Sequence, residues 1–263
     1  MSWAGGAVGE RATCVLAPNP GPMTLDGTNT WVLHEPGSSL ALVVDPGPDD
    51  GPHLAAVLAA VQARGARVAA VLLTHGHADH SAGAARFARS VGAPVRALDP
   101  AHRIGDEGLG GGDVVTAGDL TLQVVATPGH TADSLSFVLP ADGALLTGDT
   151  VLGRGTTVVA HPDGRLDDYL ASLEALRRLV SGRSTSKMMT LLPGHGPVLA
   201  DAAAAIEGYL THRRQRLEQV RAAVAAGALE PSDVVRTVYA DVDPALWPAA
   251  ELSVRAQLEY LRQ

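Results

Sequence analysis

One short segment of the chain carries four side chains that can bind a metal. Residues 68–73 form an apolar run, Val-Ala-Ala-Val-Leu-Leu, which is typical of a buried β-strand. The run ends at Thr-His-Gly-His-Ala-Asp-His, residues 74–80, and a helical pattern follows over residues 81–91. Imidazole and carboxylate groups on a tight loop suit zinc, and a catalytic zinc site keeps one coordination position open. The candidate ligands in this loop are His75, His77, Asp79 and His80.

Length, cysteine content and charge limit the class of protein. A chain of 263 residues can form one large core with a small additional module. No apolar run approaches the ~20 residues of a membrane helix, and residues 1–16 lack a signal-peptide layout, so we expect no membrane association. Cys14 is the single cysteine, which excludes an intrachain disulfide and predicts a reducing, cytoplasmic location. The net charge of −8 disfavours a DNA-binding protein, which would be basic.

The order of predicted elements indicates an α/β fold followed by helices. Strands are predicted over residues 30–33, 40–44, 68–73, 95–98, 120–126, 134–139, 144–147 and 188–192. Helices are predicted over residues 53–64, 81–91 and 167–180. Pro-Gly at residues 36–37 predicts a hairpin between the first two strands. Only helical patterns occur later, over residues 201–226, 230–239 and 245–262, so we predict a layered domain over residues 1–200 and a small all-helical module over residues 201–263.

Four further strand ends carry a polar residue in a turn. Asp45 lies in Val-Asp-Pro-Gly, His130 in Thr-Pro-Gly-His, Asp149 in Thr-Gly-Asp and His195 in Pro-Gly-His-Gly. Loops at one edge of a sheet collect site residues because the scaffold fixes them while the loops stay accessible. Glycine beside a ligand lets the backbone turn sharply and approach a metal closely. We therefore expect these four side chains to converge on the histidine loop.

These five segments, in this order, resemble the five motifs of the metallo-β-lactamase superfamily. That resemblance implies an αββα sandwich. Within the superfamily the chain resembles the β-lactamase-like protein 2 family, an endoribonuclease-like group with a winged-helix-like C-terminal module. The segments that carry this second resemblance are residues 19–31, 148–157, 193–197 and 208–216.

The resemblance implies a centre of two zinc ions. His75, His77 and His130 would hold one ion, and Asp79, His80 and His195 would hold the other. Asp149 would bridge the two ions, and a hydroxide shared by them would be the nucleophile. Asp79 would also orient that hydroxide as a catalytic residue. The same ligand set is open to iron or manganese.

Asp45 has two interpretations. In the first, its carboxylate lies behind the metal ligands and hydrogen-bonds a ligand histidine, which fixes the tautomer of that ring. In the second, it only forms the turn before Pro-Gly. Both interpretations stay open at the level of sequence.

Proteins that resemble this chain differ in their substrates. They include endoribonucleases that act on single-stranded RNA and thioesterases that release acyl chains from carrier proteins. We take hydrolysis of single-stranded RNA as the first hypothesis and acyl hydrolysis, on a carrier-bound or small-molecule substrate, as the alternative. Iron-dependent sulfur dioxygenases share much of the ligand set, and a non-enzymatic interaction module is a further alternative. Antibiotic hydrolysis is not expected, because β-lactamases of this fold commonly differ at the positions of His80 and Asp149.

Composition gives the RNA hypothesis little support. RNA binding needs basic and aromatic residues along a groove. The C-terminal region has few aromatic residues and slightly more acidic than basic ones. A local basic stripe on the long helix could contact phosphates or face solvent; it consists of Arg213, Arg214, Arg216 and Arg221.

The remaining polar candidates have weaker sequence contexts. Asn29, Thr131, Thr156 and Thr157 are possible pocket residues. Five histidines lack a strand-end context, and we interpret them as structural or surface residues: His34, His53, His102, His161 and His212.

Overall fold

A computed structural model describes residues 2–182 and 188–263. Within these residues the strands are β1 Gly6–Val8, β2 Ala12–Leu16, β3 Asn29–His34, β4 Leu40–Val44, β5 Arg67–Leu72, β6 Val95–Arg96, β7 Val114–Ala117, β8 Leu120–Ala126, β9 Leu135–Leu139, β10 Ala144–Gly148 and β11 Thr190–Pro193. The α-helices are α1 Gly51–Gln62, α2 Ala78–Ser81, α3 Ala84–Val91, α4 Leu166–Ser181, α5 Ala202–Ala225, α6 Pro231–Val238 and α7 Trp247–Leu261. None of the described helices is long and apolar enough to cross a membrane.

Two sheets form the centre of the molecule. The first has the strand order β1-β2-β3-β4-β5-β6, and the second has the order β11-β10-β9-β8-β7. One apolar cluster lies between them and joins residues of β3 and β5, such as Trp31 and Leu72, with residues of β8 and β9, such as Leu122 and Phe137. Helices α1 and α3 cover the outer face of the first sheet, and α4 and α5 cover that of the second. The predicted αββα architecture is confirmed.

The alternation of side chains along the strands explains why both faces of each sheet are covered. In β3, Trp31 and Leu33 point into the cluster between the sheets, whereas Val32 packs beneath the helices. In β9, Phe137 faces inward and Val138 faces α4 and α5. Such strands are hydrophobic at nearly every position because neither face meets water.

The C-terminal helices pack partly on the second sheet and partly on one another. Helix α5 is capped by Asp201, whose carboxylate accepts a hydrogen bond from the backbone amide of Ala204 at 3.0 Å. The first half of α5 belongs to the cluster under β10 and β11 through Ile206 and Leu210. Its second half packs with α6 and α7 in a separate small cluster that includes Val220 and Val254.

The structure corrects several predicted elements. The last strand begins at Thr190 rather than at residue 188, and β6 contains only two residues. The helix predicted over residues 81–91 is two helices, because the backbone amide of Gly83 donates to the carbonyl of Gly47 at 2.9 Å instead of continuing the helical ladder. Strands β1, β2 and β7 were not predicted. The hairpin of β3 and β4 is confirmed.

Candidate metal centre

The seven predicted metal ligands lie at one edge of the two sheets. β4 runs parallel to β5 and β10 runs parallel to β11, so the carboxyl ends of these paired strands point to the same edges. The histidine loop follows β5, His195 follows β11 and Asp149 follows β10. His130 lies in the connection from β8 to β9. Three overlapping groups of potential ligands result, each with donor atoms within 4.8 Å of one another.

The first group contains three imidazole rings. His75 Nε2 and His130 Nε2 each lie 3.1 Å from His77 Nδ1. Zinc–nitrogen bonds of about 2.0–2.1 Å in a tetrahedron place neighbouring nitrogens about 3.3 Å apart. The spacing therefore fits three ligands that face one small cation.

The second group contains two imidazole rings and a carboxylate. His80 Nε2 lies 3.2 Å from His195 Nε2, and the Asp79 carboxylate lies 3.1 Å from His195 Nε2. The same Asp79 oxygen is 3.4 Å from His80 Nε2 and accepts a 3.3 Å hydrogen bond from the Thr28 hydroxyl. His80 and His195 are buried, and Asp79 is partly open to solvent.

Asp149 lies between the two groups. Its Oδ2 is 3.7 Å from His130 Nε2 and 3.3 Å from His195 Nε2, and its Oδ1 is 3.4 Å from His80 Nε2. Among the residues that the structure describes, Oδ1 is buried and has no hydrogen-bond partner, which fits an oxygen that would bind a metal. Gly194 is required here, because a Cβ at this position would lie 2.4 Å from that oxygen.

Hydrogen bonds behind the rings set their tautomers. Nδ1 of His80 contacts Asp45 at 2.9 Å, Nδ1 of His130 contacts the Val158 carbonyl at 2.7 Å, and Nδ1 of His195 contacts the Gly27 carbonyl at 3.1 Å. Each acceptor requires a proton on Nδ1 and leaves the Nε2 lone pair facing the centre. His77 is reversed, with Nδ1 inward.

Asp45 connects the two groups from behind. Its Oδ2 contacts His80 Nδ1 and accepts the hydroxyl proton of Thr74 at 2.6 Å. The Thr74 oxygen lies 3.0 Å from Nδ1 of His75 and can accept its proton, because its own proton goes to Asp45. Asp45 is also a turn residue with φ of 50°, so it combines the contact with His80 and the turn before Pro-Gly.

The carboxylates and imidazoles of the centre perturb each other's protonation. Burial opposes charge on His195, but Asp149 and Asp79 overcome it and raise the pKa of His195 to about 9. Burial likewise opposes the charged form of Asp79, yet His195 and His80 hold its pKa at about 2. The pKa of His75 falls well below its ordinary value because of burial and the neighbouring rings of His80 and His130. At neutral pH Asp79 is thus ionised and His75 neutral, which are metal-ligand forms, whereas His195 carries a proton on Nε2 that a bound metal would displace.

Asn29 is buried and makes several hydrogen bonds that its weak sequence context did not predict. Its side-chain amide donates to the carbonyls of Pro193 and Gly196, both at 2.9 Å. Its oxygen accepts from the Trp3 indole at 2.8 Å. Asn29 thereby fastens the turn that carries His195 to the first sheet. Thr74, which no sequence argument selected, has the comparable function for His75.

A cavity of about 360 Å³ adjoins the centre and shares His130 and Asp149 with it. Its other walls come from residues 22–25, from residues 152–158 and from α5 and the α6–α7 region. Apolar side chains such as Leu152, Val158 and Leu246 supply most of the lining. Thr156 lies in this wall, whereas Thr157 turns its hydroxyl to the Asp149 carbonyl at 2.7 Å.

The structure corrects the hypothesis of a basic stripe on α5. Arg213 is buried, and its guanidinium donates to the Thr157 carbonyl. Arg216 stacks on Tyr239 in the cavity wall. Arg214 and Arg221 form exposed ion pairs with Glu174 and Glu218. The four arginines meet different environments and form no continuous surface.

Of the five histidines interpreted as structural or surface residues, one reaches the cavity. His212 lies in the cavity wall, and its buried Nδ1 has no hydrogen-bond partner. His34 and His53 are buried with hydrogen bonds to the Ser38 carbonyl and the Thr30 hydroxyl. Nδ1 of His161 lies 2.9 Å from a carboxylate oxygen of Glu259.

Comparisons with known proteins identify the fold family. Residues 23–195 match the model of the metallo-beta-lactamase superfamily, and residues 231–263 match the beta-lactamase associated winged helix domain. A Beta-lactamase-like protein 2 homolog of Caenorhabditis elegans is 32% identical over 263 residues, which cover 96% of this chain and 84% of that protein. An atrochrysone carboxyl ACP thioesterase of Aspergillus fumigatus is 32% identical over 214 residues, which cover 80% of this chain and 64% of that protein.

A solved structure shows the same arrangement of both parts. A beta-lactamase domain protein from Burkholderia ambifaria superimposes with a TM-score of 0.81 at 22% identity, covering 100% of this chain and 89% of that one. Members of the family are generally metal-dependent hydrolases. With a family model that matches most of its length and a relative aligned over nearly all of it, the chain belongs to the metallo-β-lactamase superfamily.

Proposed function

We propose that this protein is a two-zinc hydrolase of acyl thioesters. The centre offers nitrogen and carboxylate donors, which suit zinc, and Cys14 is buried outside it with its thiol near Asn29. His75, His77 and His130 would hold one ion, Asp79, His80 and His195 the other, and Asp149 both. The unpartnered Oδ1 of Asp149 supports this arrangement.

Two bound ions would supply an activated water near neutral pH and positive charge for the oxygen on which negative charge develops. The side chains of this protein would position that water. Asp79 is the most exposed carboxylate of the centre, so it is the one that can both bind and orient a water. The Thr28 hydroxyl donates to the same Asp79 oxygen that faces His195 and His80.

The cavity beside the centre is the observation on which the proposed substrate rests. It is a mostly apolar, partly enclosed space beside the centre, which suits an acyl chain whose carbonyl lies at the metal ligands. Among the described residues of its lining, Tyr239 is the one Phe, Tyr or Trp side chain, and the guanidinium of Arg216 lies 4.3 Å from the centre of that ring. The described lining therefore offers a base little surface for stacking beyond the imidazole rings of His130 and His212. A thioesterase among the similar proteins supports the same choice.

The test is hydrolysis of hexanoyl-pantetheine by zinc-loaded protein, followed through the thiol that is released. We expect turnover, two zinc ions per chain by elemental analysis, and loss of turnover in Asp79→Ala with the fold retained. Asp119→Ala is the matched control, since Asp119 is an exposed acid at the opposite end of β8 from the connection that carries His130. Full activity of Asp79→Ala would contradict the assigned ligands.

Cleavage of single-stranded RNA is the second candidate, favoured by the arginines that line the cavity. It is tested in parallel with an end-labelled single strand. Cleavage that requires Asp79, without thioester turnover in the same preparation, would overturn the thioesterase proposal and establish the ribonuclease.

A further inference from the structure

The cavity beside the centre is locally cationic in an acidic protein. The chain has a net charge of −8, yet three arginines line this cavity: Arg154, Arg213 and Arg216. The one acidic residue of the lining is Asp149, which belongs to the metal centre. A cleft with this excess of positive charge attracts an anion.

Two of the three arginines have no carboxylate partner within residues 2–182 and 188–263. Arg154 pairs with Asp26. The guanidinium of Arg213 is instead placed 4.9 Å from the Tyr169 ring centre, with a buried and unpartnered Nε. That of Arg216 lies on Tyr239 and donates to the Val238 carbonyl. A buried charge without a counter-ion is costly, so a bound anion would offset that cost.

Arginines of the same helix outside the cavity behave differently. Arg214 lies 2.8 Å from Glu174, and Arg221 pairs with Glu218. The arginines without acidic partners on α5 are thus those that the helix directs into the cavity, at positions 213 and 216. The lack of an acidic partner is therefore a property of the arginines in the cavity and not of the helix as a whole.

His212 adds a third polar group one turn before Arg216. The buried Nδ1 of His212 has no hydrogen-bond partner in the part of the chain that the structure describes. Burial, together with the charges of Arg213 and Arg216, lowers the pKa of this ring. A neutral imidazole beside two guanidinium groups can donate a hydrogen bond to an oxygen of a bound anion.

We propose that Arg216, with Arg213 and His212, binds an anionic group of the substrate, so that the enzyme prefers acyl thioesters that carry a carboxylate or phosphate away from the reacting carbonyl. This substrate class rests on the proposed thioesterase function. The anionic group has two possible sources, a carboxylate at the far end of the acyl chain or a phosphate on the thiol portion. A guanidinium satisfies either, because it binds both anions with paired hydrogen bonds.

Three substrates separate the sources: neutral hexanoyl-pantetheine, 5-carboxypentanoyl-pantetheine and hexanoyl-phosphopantetheine. We expect kcat/KM of wild type to be at least about 10-fold higher for one anionic substrate than for the neutral one, as a charge-assisted hydrogen bond would give. Arg216→Gln should remove most of this preference, mainly through KM, and Arg216→Lys should retain part of it. Arg214→Gln is the matched control and should leave the preference unchanged.

Binding without turnover provides an independent measurement. Calorimetry compares adipate with hexanoate, and phosphopantetheine with pantetheine, as ligands of the zinc-loaded protein and of Arg216→Gln. Within each pair the two ligands differ by the additional anionic group, and tighter binding of the ligand that carries it, lost in Arg216→Gln, supports the anion site even when no thioester is hydrolysed, in which case only the proposed activity fails. Equal kinetics for all three substrates, a preference that survives Arg216→Gln, or an Arg216-dependent cleavage of RNA alone would overturn the proposal.

Discussion

Asp45 shows how one residue can organise a centre that it does not enter. Its carboxylate is placed by a left-handed backbone at the end of β4 and holds the Thr74 backbone amide at 2.8 Å. From there it contacts His80 directly and reaches His75 through the hydroxyl of Thr74. Because each ligand group contains one of these histidines, a single carboxylate aligns rings on both sides of Asp149.

We predict that Asp45→Asn weakens metal binding without unfolding the protein. An amide has one acceptor oxygen where the carboxylate has two, so its NH2 group must face either the Thr74 backbone amide, which Oδ1 accepts, or the Thr74 hydroxyl and the Nδ1–H of His80, which Oδ2 accepts. We expect the affinity of the group that contains His80 to fall about 10- to 100-fold. Competition with a chelator measures this. Asp119→Asn is the control, and an unchanged affinity in Asp45→Asn would show that Asp45 only forms the turn.

We predict that Asn29→Asp destabilises the fold and loosens His195. The carboxylate has the shape of the amide but lacks its two donor hydrogens. It therefore faces the carbonyls of Pro193 and Gly196 without a hydrogen bond. The free energy of unfolding should fall by at least about 2 kcal/mol. Denaturant unfolding measures the loss. A fall below about 0.5 kcal/mol, the usual limit for surface substitutions, would contradict this account of Asn29.

The candidate ligand side chains could be predicted from the sequence, but the residues that hold them in place could not. The strand-end residues are readable because each one follows an apolar run and lies beside glycine or proline. Asn29 is not readable in this way, since its partners lie 164 and 167 residues further along the chain. Such a contact depends on how the two sheets come together, which no local pattern records.

At the scale of the element, α5 joins the cavity to the fold. The hydroxyl of Tyr209 accepts the backbone amide of Leu152 at 2.9 Å, and Arg213 donates to the Thr157 carbonyl. Both contacts hold the segment after Asp149, which forms one cavity wall. Sequence predicted this helix over residues 201–226, which is nearly the length observed. The stripe was wrong because composition does not state the rotation of a helix about its axis.

We predict that Asp201→Ala costs about 1 kcal/mol of unfolding free energy, as loss of a helix N-cap does. The Asp201 carboxylate accepts from the Ala204 amide at the start of α5, and within the described residues no hydrogen bond joins it to a proposed metal ligand. Metal content should therefore stay at the wild-type value. Asp201→Asn, which keeps an acceptor oxygen, is the matched variant and should cost less. Equal losses in the two variants would rule out capping as the cause.

At the scale of the whole molecule, the layers were more predictable than the sheet edges. Long apolar strands such as β5 and β9 are buried on both faces and are visible in the sequence. The missed strand β1 is a three-residue, exposed edge strand that begins with glycine. Its order comes from pairing with β2, a tertiary contact, rather than from its own residues.

The single cysteine gives a reporter of global unfolding. Burial raises the pKa of Cys14 to about 12, above the value near 8.5 that a free thiol has. The thiol should resist labelling in the native protein at pH 8 and react once the chain unfolds. Because the folded pKa is the higher one, its contribution to stability is complete below pH ~8.5 and is lost as pH rises toward 12. Between pH 8 and pH 10 the unfolding free energy of the wild type should therefore fall more than that of Cys14→Ala. An equal change in the two proteins would contradict the account of a buried thiol.

The predicted division at residue 200 is a further prediction about the whole molecule. A chain that ends there would expose the part of the second sheet's outer face on which Ile206 and Leu210 pack, although α4 would remain. We expect that chain to lose cooperative unfolding, since these side chains belong to the same cluster as Leu145 and Leu191. A chain that ends at residue 228 keeps all of α5 and should still fold and bind metal.

The longer fragment also separates folding from substrate binding. It lacks the cavity wall formed by residues such as Leu246 and Ala250, so its KM for acyl thioesters should rise while metal binding persists. On both fragments, near-ultraviolet circular dichroism measures folding, elemental analysis measures bound metal, and kinetics measure KM. Cooperative unfolding of residues 1–200 alone would make the first 200 residues an independent folding unit. Loss of metal from the longer fragment would instead make the helices part of the centre itself.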